Sequence, residues 1–383
     1  MMSQDRKLTR IGDVCKTNQQ TYSVSEKWPF VNYLDTGNIT KNRVSEIQHL
    51  VTGQDTLPSR ARRKVTVDDI LYSTVRPNQR HYGIVKEVLP NMLVSTGFVV
   101  ITVDKAVADS DFLYYYLTQN DIVDGLHAIG EQSVSAYPSI KPSDIESLEM
   151  MLPPLEEQRE IGHILRVLDD KIANNTAINH HLEQIAQAIW SERFGNCEPN
   201  GSLGDIIELF DFKRVPLSGN QRDKMEKIYP YYGAATLMDY VEDYLFDGIY
   251  LLLGEDGTVI DDLGFPTLQY VWGKFWVNNH AHILQGKNGF TVESLYTLLK
   301  QTSVTSIVTG AVQPKINQAN LKALAVVVPP ADEMAEFNAL IEPLFAQIRA
   351  NRDESANLAE LRDTLLPRLM SGELSVADFG DAK

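Results

Sequence analysis

The sequence predicts an α+β protein: two globular α/β domains separated by two long antiparallel helices (a coiled-coil spacer), built as a pseudo-two-fold internal repeat. The repeat itself is the first observation, since Pro138 matches Pro314 and this shift of 176 persists for about fifty residues. The second is a long segment in each copy with apolar residues at helical spacing. The third is a set of short β-rich runs before each of these segments. A period this long indicates two domain-sized units rather than a solenoid.

The repeat preserves apolar positions, a double proline and one asparagine. It begins where Tyr137-Pro138-Ser139-Ile140 matches Gln313-Pro314-Lys315-Ile316. The matched pairs that follow include Ile145/Leu321, Leu148/Leu324, Pro153-Pro154/Pro329-Pro330, Ile161/Phe337, Leu165/Ile341, Ile172/Ile348, Asn175/Asn351, Leu182/Leu358, Ile185/Leu361 and Ile189/Leu365.

The alternation of patterns divides the chain into five segments. These are a first globular domain (head 1, residues 1–150), a spacer helix (151–199), a second globular domain (head 2, 200–328), a second spacer helix (329–375) and a C-terminal tail (376–383). The two heads agree little in sequence, apart from Gly12-Asp13-Val14 and Gly204-Asp205-Ile206 near their starts. We therefore expect a shared frame carrying heads that have diverged.

In head 1, residues 70–72 and 97–103 read as strands, residues 110–119 as a helix and residues 148–152 as a strand. Pro153-Pro154 ends that last strand. Glu156 and Glu157 then place negative charge in the first turn of a helix, where the macrodipole favours it.

The first long helix is predicted over Leu155–Phe194, with Gly195 following it. Its apolar seam turns polar at Asn175 and Asn179, and the second copy does the same at Asn351. Antiparallel packing of the two helices would bring Asn175 close to Asn351, in a polar layer that fixes register. The alternative is that each helix packs only on its own head. Pro343 is expected to kink or interrupt the second helix.

Composition indicates a reduced, cytoplasmic protein without a structural zinc. The chain has 383 residues, of which 43% are hydrophobic and 22% charged. No apolar run approaches the roughly 18 residues of a membrane span, and the first ten residues are too polar for a signal peptide. The two cysteines, Cys15 and Cys197, lie far apart with no metal-ligand spacing around them.

The net charge of −16 does not exclude a nucleic-acid partner, because the charge is unevenly distributed. Residues 1–150 hold 16 basic and 18 acidic side chains, and residues 200–328 hold 10 and 14. The rest of the negative charge belongs to the predicted helices. Two nearly neutral heads are compatible with DNA binding if their cations share a face.

No catalytic constellation appears in the sequence, and we predict neither catalytic nor metal-ligating residues. A phosphate-binding loop, a dinucleotide-type glycine turn and the Asn/Asp-Pro-Pro-aromatic tetrapeptide of amino-methyltransferases are all missing. His280-Ala281-His282 lacks a third ligand at any usual spacing, and Gly254-Glu255-Asp256-Gly257 reads as a turn. Asp169-Asp170-Lys171 reads as a surface charge cluster.

Two segments of head 1 are candidates for DNA contacts. The first is the basic cluster Arg60, Arg62, Arg63 and Lys64, expected in an exposed loop where it would bind phosphates or simply be solvated. The second is the loop with Arg76, Asn78, Gln79 and Arg80, whose side-chain types make bidentate contacts to guanine and adenine. The alternative is an ordinary polar turn.

Head 2 offers a weaker set of candidates. They are the residues Lys213, Arg214, Tyr231, Asn278, Asn279 and Lys315. Its tyrosines are equally compatible with a core, and Trp272 and Trp276 are expected to be packing residues.

The chain resembles the specificity (S) subunits of type I restriction–modification systems. The resemblance rests on residues 152–161 (LPPLEEQREI) leading into residues 168–172 (LDDKI), on residues 310–317 (GAVQPKIN) and on residues 366–374 (LPRLMSGEL). It covers essentially the whole chain. The second helix entry departs from the pattern, since it reads Pro329-Pro330-Ala331-Asp332-Glu333-Met334.

The resemblance implies two target-recognition domains, each reading one half of an asymmetric bipartite site on double-stranded DNA. It implies that the helices dock two copies of a methyltransferase (modification) subunit, joined by a restriction/translocase subunit. S-adenosylmethionine, ATP and Mg²⁺ would then be cofactors of those partners, with none in this chain, which would be non-catalytic.

The candidate frame or partner contacts are the residues of the two helix entries: Pro153, Pro154, Glu157, Gln158, Ile161, Pro329, Pro330, Glu333 and Phe337. The alternative for them is a purely structural helix start. At the level of function, the alternatives are a protein–protein scaffold that does not bind DNA, and an unrecognised nuclease or fused methylating enzyme.

Overall fold

The computed structural model describes residues 6–132, 138–310 and 312–376. Tyr137, Ala311 and most of the predicted C-terminal tail (377–383) lie outside the described residues. The chain divides into two compact units: unit 1 comprises residues 1–173 and 355–383, and unit 2 comprises residues 174–354. Each long helix therefore contributes one part to each unit.

Unit 1 contains head 1 and one part of each long helix. Its strands are β1 (Lys7–Arg10), β2 (Cys15–Thr17), β3 (Phe30–Leu34), β4 (Ile39–Thr40), β5 (Arg43–Val44), β6 (Gln48–Val51), β7 (Ala61–Arg63), β8 (Ile70–Ser73), β9 (Tyr82–Ile84), β10 (Met92–Ser95), β11 (Phe98–Val103) and β12 (Glu149–Leu152). Its helices are α1 (Ile11–Val14), α2 (Ser110–Thr118), α3 (Asn120–Glu131), α4 (Pro142–Glu146) and the start of α5 (Leu155–Phe194).

Two four-stranded sheets form the centre of head 1. One is antiparallel with strand order β2-β11-β8-β9, and the other has the order β6-β3-β10-β7 with β3 and β10 parallel. Along β8 the side chains alternate: Ile70 and Tyr72 pack towards α2, whereas Leu71 packs towards the second sheet. This strand is buried on both faces because it lies between a helical layer and a second sheet.

Unit 2 contains head 2 and the remaining parts of the long helices. Its strands are β13 (Gly201–Ser202), β14 (Ile207–Leu209), β15 (Tyr229–Tyr232), β16 (Leu237–Val241), β17 (Phe246–Asp247), β18 (Tyr250–Gly254), β19 (Leu268–Val271), β20 (Lys274–Val277), β21 (Ala281–Gly286) and β22 (Ala325–Val326). Its helices are α6 (Leu203–Ile206), α7 (Gly219–Arg222), α8 (Val292–Leu299), α9 (Gln318–Ala323) and most of α10 (Ala331–Ser371).

The sheets of head 2 repeat those of head 1 strand for strand. Their orders are β14-β21-β18-β19 and β16-β15-β20-β17, again with a parallel pair, β15 and β20, in the second sheet. The two-stranded pair β1-β12 likewise corresponds to β13-β22. The predicted internal repeat and α+β class are confirmed, and the repeat includes the heads, whose sequences hardly show it.

The glycine shared by the starts of the two heads has one structural role in both. A Cβ on Gly12 would lie 3.2 Å from the carbonyl oxygen of Glu146, and a Cβ on Gly204 would lie 3.0 Å from that of Lys322. Glu146 and Lys322 are themselves related by the shift of 176. Glycine is therefore present in both copies because two short helices approach closely there.

The helix α5 has the bounds that the sequence predicts. In unit 1, Ile161 and Leu165 of α5 share a hydrophobic cluster with Leu365 and Leu369 of α10. The early part of one helix thus meets the late part of the other, so the two run antiparallel. Both helices also pack on head 1. Their contact with each other rules out the alternative in which each helix packs only on a head.

The same antiparallel packing occurs in unit 2. Phe337 of α10 packs edge-on against Trp190 of α5, with 5.1 Å between ring centroids, and Ile341 and Ile348 lie in the same cluster. Each such buried side chain contributes about 1.5–3 kcal/mol.

The buried asparagines form the polar layer that the sequence predicts. Asn175 Nδ2 donates to the carbonyl oxygen of Asn351 at 3.3 Å, and Asn351 Nδ2 donates to Asn179 Oδ1 at 2.8 Å. Asn179 Nδ2 in turn donates to the carbonyl oxygen of Ile348 at 3.4 Å. These bonds require one alignment of the two helices, since a shifted register would bury unpaired amides.

Pro343 does not interrupt the second helix, so that part of the prediction is wrong, whereas a kink there stays a prediction. α10 continues through Pro343, which is exposed on the outer side. The missing N–H costs about 3 kcal/mol, but Ile341 and Phe345 on either side are fully buried. Their burial outweighs this cost.

Candidate nucleic-acid interface and helical frame

Half of the basic cluster of head 1 lies on a strand, and for these two residues the expectation of a loop is wrong, whereas Arg60 and Lys64 lie just outside the strand. Arg62 and Arg63 belong to β7, at the edge of the second sheet, and both are half-buried. Lys64 forms an ion pair with Glu26 at 2.5 Å and lies 5.2 Å from the centre of the Trp28 ring. Arg60 is exposed. The cluster thus presents a half-exposed basic edge rather than four freely solvated cations.

The second candidate segment of head 1 forms the turn that the sequence predicts. It follows β8, and residues 77–79 make one turn of 3-10 helix around the buried Pro77. Arg76 and Arg80 flank this turn with left-handed backbones, at φ of 46° and 58°. Non-glycine residues in this conformation occur frequently at functional sites.

This turn exposes Asn78 and Gln79 to solvent. The Arg80 side chain is instead engaged within head 1, because its guanidinium donates to Asn120 Oδ1 at 2.8 Å. Arg80 also borders a groove of about 520 Å³ in unit 1, with Lys41 and Arg362. Burial, and then the charge of Arg80, lowers the pKa of Lys41. The carboxylates of Asp169 and Asp363 balance these cations within the groove.

Two of the head 2 candidates are buried and a third is largely buried and ion-paired, and this corrects their assignment as surface DNA contacts. Tyr231 is 2% exposed and its hydroxyl accepts a hydrogen bond from the Leu217 N–H at 3.0 Å. Asn278 is also buried, and its Oδ1 accepts from the His280 N–H. Arg214 forms an ion pair with Glu255 at 2.6 Å and donates to the Ala281 carbonyl oxygen.

Arg214 belongs to a charge network that the sequence does not reveal. Asp211 accepts from His282 Nδ1 at 2.6 Å, and His282 Nε2 lies 2.8 Å from the carbonyl oxygen of Ile316. Burial alone would raise the pKa of Asp211, but the His282 hydrogen bond and the Arg214 charge hold it below its ordinary value.

Ligand atoms of Asp211, Glu255 and His282 lie within 4.8 Å of one another, a spacing that could hold a cation. The Arg214 guanidinium already neutralises both carboxylates. The network therefore acts as an internal ion cluster, and the sequence could not anticipate it because Asp211 and His282 are 71 residues apart in the chain.

Lys213, Asn279 and Lys315 remain exposed candidates. They lie on loops that meet at one end of head 2. The Glu255 N–H donates to the His280 carbonyl oxygen, and the Ile316 N–H donates to the Glu255 carbonyl oxygen. Loops joined in this way present a continuous surface.

The equivalent loops meet in head 1. An isolated antiparallel bridge joins Val75 to Ser139, and the corresponding bridge in head 2 joins Asp256 to Lys315. Ser139 and Lys315 are related by the shift of 176. The turn after β8 and the loop after β18 are thus equivalent positions with different side chains.

Each head is fastened to both long helices through one carboxylate. In unit 1, the Tyr115 hydroxyl of α2 donates to Asp169 of α5 at 2.7 Å, and Arg362 of α10 pairs with the same carboxylate. Burial, and then the charge of Asp169, raises the pKa of Tyr115 above its usual range, so its hydroxyl remains a donor. The sequence suggested that Asp169 is part of a surface charge cluster. The structure instead shows its carboxylate engaged by Tyr115 and Arg362.

In unit 2, Tyr296 of α8 donates to Glu183 of α5 at 2.9 Å, and Arg352 of α10 donates to the same carboxylate at 3.1 Å. The carboxylates and arginines of the two contacts are not paired by the repeat, because the shift of 176 matches Asp169 with Phe345 and Arg362 with Ala186. The sequence gives no signal for this arrangement.

Most of the helix-entry candidates make contacts that hold the long helices in place within their own unit. Gln158 is buried, and its Oε1 accepts from the Asp109 N–H while its Nε2 donates to the Pro153 carbonyl oxygen. Glu157 forms an ion pair with Arg6 at 2.5 Å. The buried members of the set are Pro153, Ile161, Pro329 and Phe337.

The exposed members of the set are Pro154, Pro330 and Glu333. These three residues stay predictions as partner contacts. The buried members can belong to the frame but cannot be partner contacts, because a side chain packed inside its own unit has no surface exposed to a partner.

Comparison with known proteins identifies the class of molecule. The sequence profile of the family described as "Type I restriction modification DNA specificity domain" matches residues 4–184 and 199–359. Each matched segment contains one head and at least part of the long helix that follows it. The chain therefore belongs to this family, and its function is sequence-specific DNA recognition in a type I restriction–modification system.

Individual relatives match along their whole length. The specificity subunit of the type I restriction enzyme HindI from Haemophilus influenzae is 24% identical over 461 residues, covering 97% of this chain and 100% of the relative. The MjaIX specificity subunit from Methanocaldococcus jannaschii is 24% identical over 417 residues, covering 98% and 94%.

A solved structure shares the fold. The crystal structure of the type I restriction–modification S subunit from M. genitalium matches with a TM-score of 0.55 at 16% identity, over 97% of this chain and 98% of that one. Within the described part of this chain, no helix has the length and apolar character that a membrane crossing requires.

Proposed function

We propose that each head reads one half of an asymmetric bipartite site on double-stranded DNA. The observation that carries this proposal is that the two heads have one strand topology but different exposed loops. Head 1 exposes Asn78 and Gln79 after β8, whereas the equivalent loop of head 2 exposes Gly257 and Thr258. The carboxylates of that loop are engaged, Glu255 by Arg214 and Asp256 by His280. Amide side chains read adenine edges, and different side chains read different bases.

We further propose that the long helices dock two copies of a modification subunit. Ile185 of α5 and Leu361 of α10 correspond in the repeat, and both are about half exposed, at 46% and 47%. Their helical neighbours also correspond, Ala188 with Thr364 and His181 with Asn357, and all are exposed. Matched apolar positions on two helices suit two identical partners.

In this proposal the chain itself is non-catalytic. S-adenosylmethionine, ATP and Mg²⁺ belong to the modification subunits and to a restriction/translocase subunit that joins them. The ion cluster around Asp211 supports this division, since its carboxylates are engaged by Arg214 and His282.

A head exchange tests the half-site proposal. Residues 200–328 are replaced by the second head of another specificity subunit, and the methylated sequence is determined with the partner subunits present. One half of the site should change while the other half is retained. A change in both halves, or in neither, contradicts modular reading.

Charge substitution tests the docking proposal. Ile185→Asp and Leu361→Asp together should abolish association with the modification subunit, since two carboxylates would be buried at the contact. Size-exclusion chromatography with multi-angle light scattering gives the stoichiometry, and each single variant should retain one partner copy. Asn174→Asp, an exposed position on α5, is the matched control. If the double variant still binds two copies, the docking surface lies elsewhere.

A gel-shift assay on duplex DNA, with the partner subunits present, tests the scaffold alternative. A protein–protein scaffold would bind partners and fail to shift duplex DNA in their presence.

A further inference from the structure

Phe212 is the most exposed aromatic residue in the described part of the chain, with 79% of its surface accessible. It lies in the 3-10 turn Asp211–Lys213 that follows β14. Burying such a side chain would stabilise the fold, because apolar surface would be removed from water. The fold instead holds the ring in solvent.

The turn that carries Phe212 is rigidly anchored. Its first residue, Asp211, is buried and accepts hydrogen bonds from the Ile283 N–H at 2.9 Å and from Gln318 Nε2 at 2.6 Å, in addition to His282. The exposed ring therefore sits on a fixed base rather than on a loose loop. A preorganised side chain loses little conformational entropy on binding.

The surroundings of the ring favour an anionic, aromatic partner. The Lys213 ammonium lies 5.1 Å from the Phe210 ring centre and 5.8 Å from that of Phe212. His280 and Lys315, on the adjoining loops, are each nearly half exposed. Nucleic acid offers both chemistries at once, since base faces stack on aromatic rings and phosphates bind ammonium groups.

Head 1 has no aromatic residue at the equivalent position. The loop after β2, which corresponds to β14, carries Asn18, Gln19 and Gln20. Gln19 and Gln20 are exposed, and their amides suit base edges rather than base faces. The two heads thus differ in the kind of contact that this loop can make.

We propose that Phe212 places its ring against a base step in the half-site read by head 2, partly unstacking it, while Lys213 contacts the adjacent phosphate. This inference rests on the proposed half-site function. It assigns to head 2 a deformation-based contribution to specificity, in addition to hydrogen bonding to base edges.

The test uses the full complex with modification subunits and a duplex containing its methylated sequence. Phe212→Ala should weaken specific binding about fivefold to a hundredfold, the range found for loss of one base–aromatic stack. Phe212→Trp should retain affinity. Leu263→Ala is the matched control, because Leu263 is another apolar residue of head 2 that is 78% exposed.

A fluorescence readout locates the contact. 2-Aminopurine is placed at successive positions of each half-site, and its emission should rise on binding at one step of the head 2 half only. Phe212→Ala should abolish this rise. The thermal unfolding of Phe212→Ala should match that of the unchanged protein, since the ring is not part of the core.

Two outcomes overturn the inference. One is unchanged affinity and unchanged 2-aminopurine emission in Phe212→Ala. The other is loss of modification-subunit binding without DNA, which would make the ring a protein contact. Failure of the half-site function would instead appear in the head exchange, as a change in both halves of the methylated sequence or in neither, a result that Phe212→Ala alone would not give.

Discussion

At the residue scale, the structure distinguishes cations that face solvent from cations that hold the domain together. Lys213 and Lys315 are both exposed, although Lys315 also lies 3.3 Å from a Glu255 carboxylate oxygen. Arg214, next in sequence to Lys213, is only 14% exposed and forms an ion pair with Glu255. Adjacent residues of the same type therefore differ in role, because only the fold decides which of them meets a carboxylate.

The basic edge on β7 gives a prediction about phosphate contacts. Replacing Arg62 and Arg63 together with Ala should weaken DNA binding across sequences. It should also reduce the slope of log K against log salt concentration by up to about 2, because each lost phosphate contact removes about 0.9. Binding is measured between 50 and 200 mM salt, approximate limits that span the steep range.

Lys105→Ala is the control for this pair, since Lys105 is engaged with Asp68 elsewhere in head 1. An unchanged salt slope in the double variant would remove the phosphate role from β7. A change in sequence preference would indicate base contacts instead.

At the element scale, the long helices are the part of the fold that the sequence predicts best. The bounds of α5 and the antiparallel contact follow from apolar spacing repeated in two copies. Pro343, expected to kink or interrupt α10, does not interrupt it, because side chains on both sides of it are buried. The helix propensity of a single residue contributes less to the free energy of folding than the burial of a repeated apolar face.

The asparagine layer gives a prediction about helix pairing. Asn179→Ala and Asn351→Ala should each destabilise the protein, and the double variant should lose less than the sum. We expect a coupling energy of about 0.5–3 kcal/mol, since the two amides share one hydrogen bond. Urea unfolding followed by circular dichroism measures it.

The exposed Asn357 of α10 provides the matched control. Combining Asn357→Ala with Asn179→Ala should give additive effects. Additivity in the Asn179/Asn351 pair would mean that the layer does not act as one unit.

The fastening of each head to the helices is also an element-scale property. A tyrosine of the head and an arginine of α10 meet one carboxylate of α5 in both units. The carboxylates and arginines that do this are not related by the shift of 176. The two units have reached the same contact with different positions, which indicates that the contact itself matters to the fold.

At the scale of the whole molecule, the chain combines one topology used twice with surfaces that differ. Its negative charge lies mainly in the helical segments, which leaves the heads nearly neutral for DNA. Membership of the DNA specificity family agrees with this division.

The division of labour gives a prediction for the whole chain. Incubated alone with duplex DNA, S-adenosylmethionine and Mg²⁺, the chain should neither methylate nor cleave. Adding the modification subunit should produce methylation at one asymmetric sequence. Methylation is measured as tritium transfer from labelled S-adenosylmethionine to the DNA. Transfer or cleavage by the chain alone, purified free of partners, would establish an enzymatic role.

The sequence by itself determined the duplication, the two helices with their polar layer, and the family. These features depend on periodic patterns, which survive in a linear string because burial imposes the same spacing wherever a helix recurs. Only the tertiary structure decided that the divergent heads share one sheet topology, that Arg214 and Tyr231 are internal, and that Phe212 is held in solvent. Contacts between residues far apart in sequence set these properties, and no local pattern records which charges will meet or which ring will be left outside.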